Sequence, residues 1–297
     1  MIKQTLYFSN PTYLSLKDKQ LVIRVKNSEN EKTVTRPIED LGMIILDTGQ
    51  ITITNQAIQA LQTNKTVIVS CDSSHMPSSI MLPMQGHTEQ SERYRIQMDA
   101  SLPLKKNLWQ QTIEAKVRNQ RAVLEKLKKP TKRLDVLLKR IQSGDPENIE
   151  GQAAAYYWPT LFKGFIRDKD GLAPNSMLNY GYAILRAMVA RALTSSGLLL
   201  TLGIHHKNKY NAYCLADDIM EPYRPFVDQI VYQLSNDYGL VSFLDRPTKQ
   251  QLLSVGQIDA YFKSRKSPLM VGMAQTTSSL YKCFAGKKRK IIYPELR

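Results

Sequence analysis

Two stretches of the chain gather side chains of the kind that hold a cation. Residues 202–228, LGIHHKNKYNAYCLADDIMEPYRPFVD, carry the pair His205–His206, the adjacent acids Asp217 and Asp218, and a further acid, Glu221. Residues 149–162, IEGQAAAYYWPTLF, set Glu150 ahead of a glycine and an alanine-rich run. Asp218 and Glu221 are three positions apart, so a helix would place both carboxylates on one face. Proline is tolerated in a first helical turn and disfavours helical torsions at the residue before it. With Pro222 following Glu221, the helix is predicted to begin close to Asp217. Carboxylates suit Mg²⁺ and Mn²⁺, and one imidazole tips the preference toward Mn²⁺. Such an ion can bridge a phosphodiester oxygen, activate an attacking hydroxyl and stabilise the leaving oxygen. Two points stay open at this level. Glu150 alone also reads as a helix-start charge favoured by the macrodipole, and residue chemistry does not choose between His205 and His206.

Composition narrows what such a site would act on. The chain has 297 residues, with 41 Lys+Arg against 26 Asp+Glu and a net charge of +15. That surplus favours a polyanion, either nucleic acid or an acidic membrane surface. No stretch approaches the roughly 18 apolar residues of a membrane span, and GLLLTLGI at 197–204 is short, which weakens the membrane alternative. The start, MIKQTLYFSN, lacks the apolar core of a signal peptide. Cys71, Cys214 and Cys283 are far apart and form no C-x-x-C pair, so a reducing, cytoplasmic setting is expected. There is no phosphate-cradling G-x-x-x-x-G-K-[ST], no G-x-S-x-G elbow and no H-E-x-x-H helix, which argues against the usual NTPases, α/β-hydrolases and zinc metalloproteases.

The elements that must position these residues fall into two regions. TLYFSN, YLSLKDKQLVIRV, MIILDTGQITIT and TVIVSC read as short strands, with LKDKQL as a hairpin tip and LDTGQ as a turn at Gly49. KNSENEKTVTRP reads as an exposed loop with a strand. QAIQALQTN, 56–64, is the one helical interruption, with Ala57, Ile58, Ala60 and Leu61 on its apolar face. Residues 1–80 are therefore expected to form a β-rich, sandwich-like domain. DSSHMPSSIMLPMQGH, 72–87, with its prolines and Gly86, is expected to be a linker or extended arm centred on 81–90. Residues 91–297 are expected to form a larger all-α domain. The run from about 91 to 141 has a helical apolar period broken at Pro130, and further helices are predicted at 150–163, 175–196, 217–235 and 248–264. Residues 101–145 hold 12 Lys/Arg and 4 Asp/Glu, a basic helical layer that suits a nucleic-acid backbone or, more plainly, a solvated face. On the helix at 175–193, Asn175 and Asn179 share a face, and Tyr180, Tyr182 and Arg186 add polar tips. A core helix with satisfied amides is the plainer account. Asn175, Asn179, Tyr180, Arg186, Lys207 and Arg224 are taken as candidate DNA contacts.

At these residues the sequence resembles the CRISPR-associated integrase family of spacer acquisition. IEGQAAAYYW is similar to the family segment with the first metal-binding glutamate, and LGIHH followed by LADDIMEPYRP is similar to its histidine and acidic segments. The separations agree, with 56 residues from Glu150 to His206 and 15 more to Glu221. The Met-Glu-Pro-Tyr-Arg-Pro wording and the short length are similar to the form found beside single-protein (type II) effectors. The likeness extends to the strand-rich start, CDSSHMPSSIMLP and LNYGYA. It implies a β-sandwich domain used for dimerisation and partner contact, and an all-α catalytic, DNA-binding domain. It also implies a homodimer, two of which flank a dimer of the second acquisition protein. The implied reaction inserts a short DNA duplex beside a CRISPR repeat, a spacer 3′-OH attacking a repeat phosphodiester without ATP. Glu150, His206 and Glu221 would hold Mg²⁺ or Mn²⁺, with Asp218 as a further catalytic acid, either a ligand or a support behind one. The family's Gly-x-x-His register selects His206. Two other readings use the same residues: a metal-dependent nuclease on branched or single-stranded DNA that does not join, and a non-catalytic DNA-binding scaffold.

Overall fold

Short runs of β-branched residues become strands from the first described residues onward. The structure is a computed structural model that describes residues 3–26, 31–168, 171–238 and 244–297. Contacts divide it into two compact units, Met1–Thr88 and Glu89–Arg297.

In the first unit, strands β1 (Gln4–Phe8), β2 (Thr12–Lys17), β3 (Gln20–Lys26), β4 (Glu31–Pro37), β5 (Leu41–Leu46) and β6 (Ile51–Ile53) precede helix α1 (Asn55–Thr63). Strands β7 (Val67–Cys71) and β8 (Pro77–Met81) follow it. They form two four-stranded sheets, ordered β1-β5-β7-β8 and β4-β3-β2-β6. Asp18 and Lys19 both take positive φ at the β2–β3 tip, the left-handed pair that a two-residue hairpin needs. The run MIILDTGQITIT splits at its turn, so that β5 lies in one sheet and β6 in the other. Leu14, Leu21 and Ile23 from one sheet meet Leu41, Ile44 and Ile68 from the other, together with Ala57 and Leu61 of α1, in one core. Two sheets and a helix thus share that core. The polar stretch expected as a loop lies outside the described residues at 27–30, and Glu31–Pro37 is strand. The arm expected at 72–87 is corrected in part. Pro77–Met81 pairs antiparallel with β7 instead of running free, because its alternating side chains can complete a sheet edge.

The second unit contains α2 (Gln90–Met98), α3 (Leu102–Lys126), α4 (Lys132–Leu138), α5 (Ile149–Leu161), α6 (Asn175–Ser195), α7 (Cys214–Met220), α8 (Arg224–Tyr238) and α9 (Arg246–Leu253). It ends with β9 (Asp259–Phe262), β10 (Arg265–Pro268), α10 (Leu269–Phe284) and β11 (Pro294–Glu295). Two expectations are corrected here. The helix predicted over 248–264 stops at Leu253, and Asp259–Phe262 is the middle strand of a sheet ordered β10-β9-β11, so the unit is not all-α. The helix predicted from Asp217 starts at Cys214 and passes through a 3-10 turn at Glu221–Tyr223 before α8. Pro222 has no N–H to continue an α-helical ladder, which accounts for the change of pitch there. α3 is the axis of the unit and packs against α4, α5, α8 and the Glu221–Tyr223 turn. α6 lies close to α8 at Gly181, where a Cβ would come within 2.4 Å of Val227 Cγ1. Among the described residues, no helix is long and apolar enough to cross a membrane.

Candidate active site

Three elements of the second unit bring the acids together. Glu150 stands in the first turn of α5, but it does not cap that helix. The Asn148 side chain accepts from Gly151 N, and Asp145 accepts from the amides of Ile149 and Glu150. The N-terminal amides are thereby satisfied by other groups, and Glu150 is released to face α3. There its Oε1 meets Lys116 Nζ at 2.6 Å. Glu221, on the 3-10 turn, reaches the same ammonium from the other side, with Oε2 at 2.5 Å. Its Oε1 lies 2.8 Å from Arg224 Nε. Asn119 of α3 fixes that turn. Its amide donates to Pro222 O and Pro294 O, and its carbonyl oxygen accepts from Leu296 N, so α3, the turn and the C-terminal strand are tied at one residue.

The histidine enters from the loop after α6. Asp218 is fully buried, and its carboxylate accepts the backbone N–H groups of Ile204, His205 and His206. Its Oδ1 also lies 2.5 Å from His206 Nδ1. The carboxylate thereby shapes the loop and orients the ring. Gly203 is required by the same packing, because a Cβ there would approach His206 O to 2.5 Å and Asp218 Oδ2 to 2.6 Å. This is the physical content of the Gly-x-x-His spacing. With Nδ1 committed to Asp218, Nε2 is the ring nitrogen available to a cation. His205 faces elsewhere. Its ring stacks on the buried Trp109 at 4.1 Å between centroids, nearly parallel.

Charge is finely divided in this cluster. Burial pushes the Glu221 carboxyl up, but Arg224 and Lys116 outweigh it and hold the group below its ordinary range. Burial pulls the Lys116 ammonium down, and the carboxylates of Glu221 and Glu150 more than reverse that. The hydrogen bond to Asp218 raises His206, against the opposing effect of burial. Within the same helical layer, Asp228 accepts from Tyr157 Oη at 3.0 Å and from Tyr182 Oη. Burial lifts its carboxyl to about 7, despite the lowering effect of the two hydroxyls.

The donors suit a hard divalent cation. They comprise two carboxylates and an oriented imidazole, and Glu221 Oε2 is buried without an aligned hydrogen bond. They are not closed around one point: among the described residues, no three His, Cys, Asp or Glu side chains are gathered closely enough to hold a metal ion. The positive charge between Glu150 and Glu221 is that of Lys116.

The expected DNA contacts separate. Tyr180 is fully buried, with Lys249 Nζ 5.4 Å from its ring centroid. Asn175 is buried too, and its Oδ1 and that of Asn179 both accept from the Arg167 guanidinium, so the shared face is used internally. Arg186 forms a two-pronged pair with Asp217, at 2.7 and 3.0 Å. Arg224 lies against Glu221 and over the Tyr182 ring. Lys207 is exposed. Part of the basic layer is likewise engaged: Arg121 with Asp135 and Glu125, Arg118 with Glu114, and Lys129 with the carbonyls of Thr160 and Leu161. Lys116 was not anticipated from the sequence. Its signal is its position on α3, where Leu108, Trp109, Thr112, Ile113, Val117 and Gln120 mark the buried face and a lysine falls among them.

A family model described as CRISPR associated protein Cas1 matches residues 6–256, most of the chain. The chain belongs to the Cas1 family. It is 36% identical over 255 residues to a CRISPR-associated endonuclease Cas1 of Neisseria meningitidis serogroup C, covering 85% of this chain and 83% of that one. Among solved structures, a casposase bound to integration product superposes with a TM-score of 0.80 at 21% identity, over 100% of this chain and 95% of that one. A chain of a Cas6-RT-Cas1–Cas2 complex superposes with a TM-score of 0.73 at 18% identity, over 99% of this chain and 36% of that one. At these identities the two structures establish a shared fold. The β-rich first unit and the larger helical second unit of this Cas1-family chain are arranged in sequence as in those relatives.

Proposed function

We propose that this protein is a divalent-metal-dependent DNA integrase and endonuclease that inserts short DNA duplexes into a CRISPR array. The observation that carries the reading is the meeting of Glu150 and Glu221 on one buried ammonium, with His206 held in a fixed orientation by Asp218 on the helix leading into Glu221. Family membership and the casposase likeness support it. Glu150, His206 Nε2 and Glu221 would hold Mg²⁺ or Mn²⁺. Such an ion, when bound, supplies Lewis-acid polarisation of a phosphodiester and lowers the pKa of an attacking hydroxyl.

The chain's own residues do the rest. Asp218 sets the His206 ring and keeps Nε2 as its open nitrogen. Arg224 holds Glu221 Oε1 and limits rotation of that carboxylate. Asn119 fixes the turn that carries Glu221. The net charge of +15, with exposed Lys207 and the partly exposed Arg186 near the histidine loop, suits the phosphates of duplex DNA. Attack by a 3′-OH exchanges one phosphodiester for another, forming a new P–O bond as the old one breaks, so no nucleotide triphosphate is needed. We further propose that the protein acts as a homodimer, with the first unit serving dimerisation and contact with a Cas2 dimer. The likeness to a chain from a Cas1–Cas2 complex supports that assembly.

A labelled duplex with free 3′-OH ends, incubated with supercoiled repeat DNA, Cas2 and Mn²⁺, tests the reaction. Label covalently joined to the plasmid is the expected product. Nicked plasmid without joined label would replace the integrase with a plain nuclease. Salt-sensitive binding with no metal-dependent product would reduce it to a scaffold.

A further inference from the structure

The geometry points to Lys116 as an internal competitor of the divalent ion: its ammonium and the ion contend for the Glu150–Glu221 pair. This inference rests on the site assignment just proposed. A lysine on the buried face of a helix is costly unless its charge is compensated. Here the compensation comes from the two carboxylates assigned to the ion, at 2.6 Å for Glu150 Oε1 and 2.5 Å for Glu221 Oε2. Glu221 already meets a second cation, Arg224, through its other oxygen. Both of its oxygens are thus taken by positive charge, whereas Glu150 is partly exposed and has one oxygen outside this contact.

The two contacts of Lys116 differ in kind. That with Glu150 is an aligned hydrogen bond, and that with Glu221 is close but unaligned, so Glu221 Oε2 remains a buried oxygen without a hydrogen bond. The less well aligned of the two contacts, that with Glu221, is the one that a doubly charged ion can replace. Mg²⁺ binds carboxylate oxygen at about 2.0–2.1 Å and uses the same lone pairs, so ion and ammonium cannot both sit on Glu221 Oε2. The lysine stem has the freedom to withdraw while keeping its bond to Glu150. Apparent affinity for the ion is then reduced by the fraction of molecules in which Lys116 occupies the pair. If the open form is about a tenth of the population, removing the ammonium tightens binding about tenfold.

Mn²⁺ binding to the full chain, measured by calorimetry for wild type, Lys116→Met, Glu150→Gln and Glu221→Gln, tests this. The expected result is binding about tenfold tighter for Lys116→Met and strongly weakened for both glutamine variants. Unchanged or weaker binding by Lys116→Met, with the glutamine variants still impaired, overturns the competition and leaves the site assignment standing. Glutamine variants that bind like wild type overturn the site assignment itself. If Lys116→Met does not fold, wild-type protein with ¹³Cε-labelled lysine decides the matter. A Lys116 resonance that shifts as Mg²⁺ saturates, and does not shift in Glu221→Gln, supports displacement, and a resonance that stays in place overturns it.

Discussion

Glu221 and Asp228 lie close together in sequence, are both buried, and have opposite surroundings. Glu221 is faced by Lys116 and Arg224 and is held ionised, below its ordinary pKa range. Asp228 is faced by the hydroxyls of Tyr157 and Tyr182, and burial lifts it to about 7. Burial alone therefore does not make a cation site. A carboxylate held ionised by neighbouring cations carries the charge that the proposed ion would need, whereas Asp228, hydrogen-bonded by two hydroxyls, holds its proton to about pH 7. Another buried acid, Asp218, shows a further use. Its oxygens are spent on three backbone amides and on His206 Nδ1, which suits the supporting role proposed for it.

The contrast can be broken by substitution. Glu221→Gln removes the carboxylate paired with Arg224 and leaves the buried Lys116 with one partner in place of two. Its unfolding free energy in urea is expected to fall by about 3–5 kcal/mol, and a loss below about 1 kcal/mol would place the stabilisation elsewhere. Asp228→Asn acts through pH. Asp228 keeps its proton to about pH 7 in the fold and to about pH 4 in an unfolded chain. Between those values the folded state binds more protons, so wild-type stability falls as pH rises and levels off above about 7. The asparagine variant is expected to lose this contribution, a difference on the order of a few kcal/mol between pH 4 and pH 8. Parallel pH profiles for the two proteins would contradict it. Asp218→Asn is expected to lower Mn²⁺ affinity about 10- to 100-fold by loosening the His206 ring, and unchanged affinity in calorimetry would deny it the supporting role. The smallest effect is expected at His205. His205→Phe preserves the stack on Trp109, so stability should change by no more than about 0.5 kcal/mol and joining should persist. Loss of joining in that variant would move the imidazole ligand from His206 to its neighbour.

Much of this was legible in the sequence because the residues concerned make local demands. The β2–β3 tip, the start of α5 beside Glu150, α6 across Asn175 and the His-to-acid spacing all follow from short-range patterns. What escaped was set by distant partners. Lys116 looks like one more charge in a basic run until α5 and the Glu221 turn close on it. Asp259–Phe262 carries helix-compatible neighbours and becomes a strand by pairing with both the adjacent β10 and the more distant β11. The depth of α6, which buries Tyr180 and Asn175, is likewise set by the elements packed around it. The family resemblance, not composition, distinguished His206 from His205. In the structure His206 Nδ1 faces Asp218, and the His205 ring stacks on Trp109.

Glu150, His206 and Glu221 are proposed to act together in metal-dependent joining of DNA. The most direct measurement is the yield of covalently joined product in Mn²⁺ from Glu150→Ala and His206→Ala, each first shown by circular dichroism and thermal melting to keep its fold. Both variants are expected to drop to background while still binding DNA. Joined product at the wild-type level from both folded variants would contradict the account.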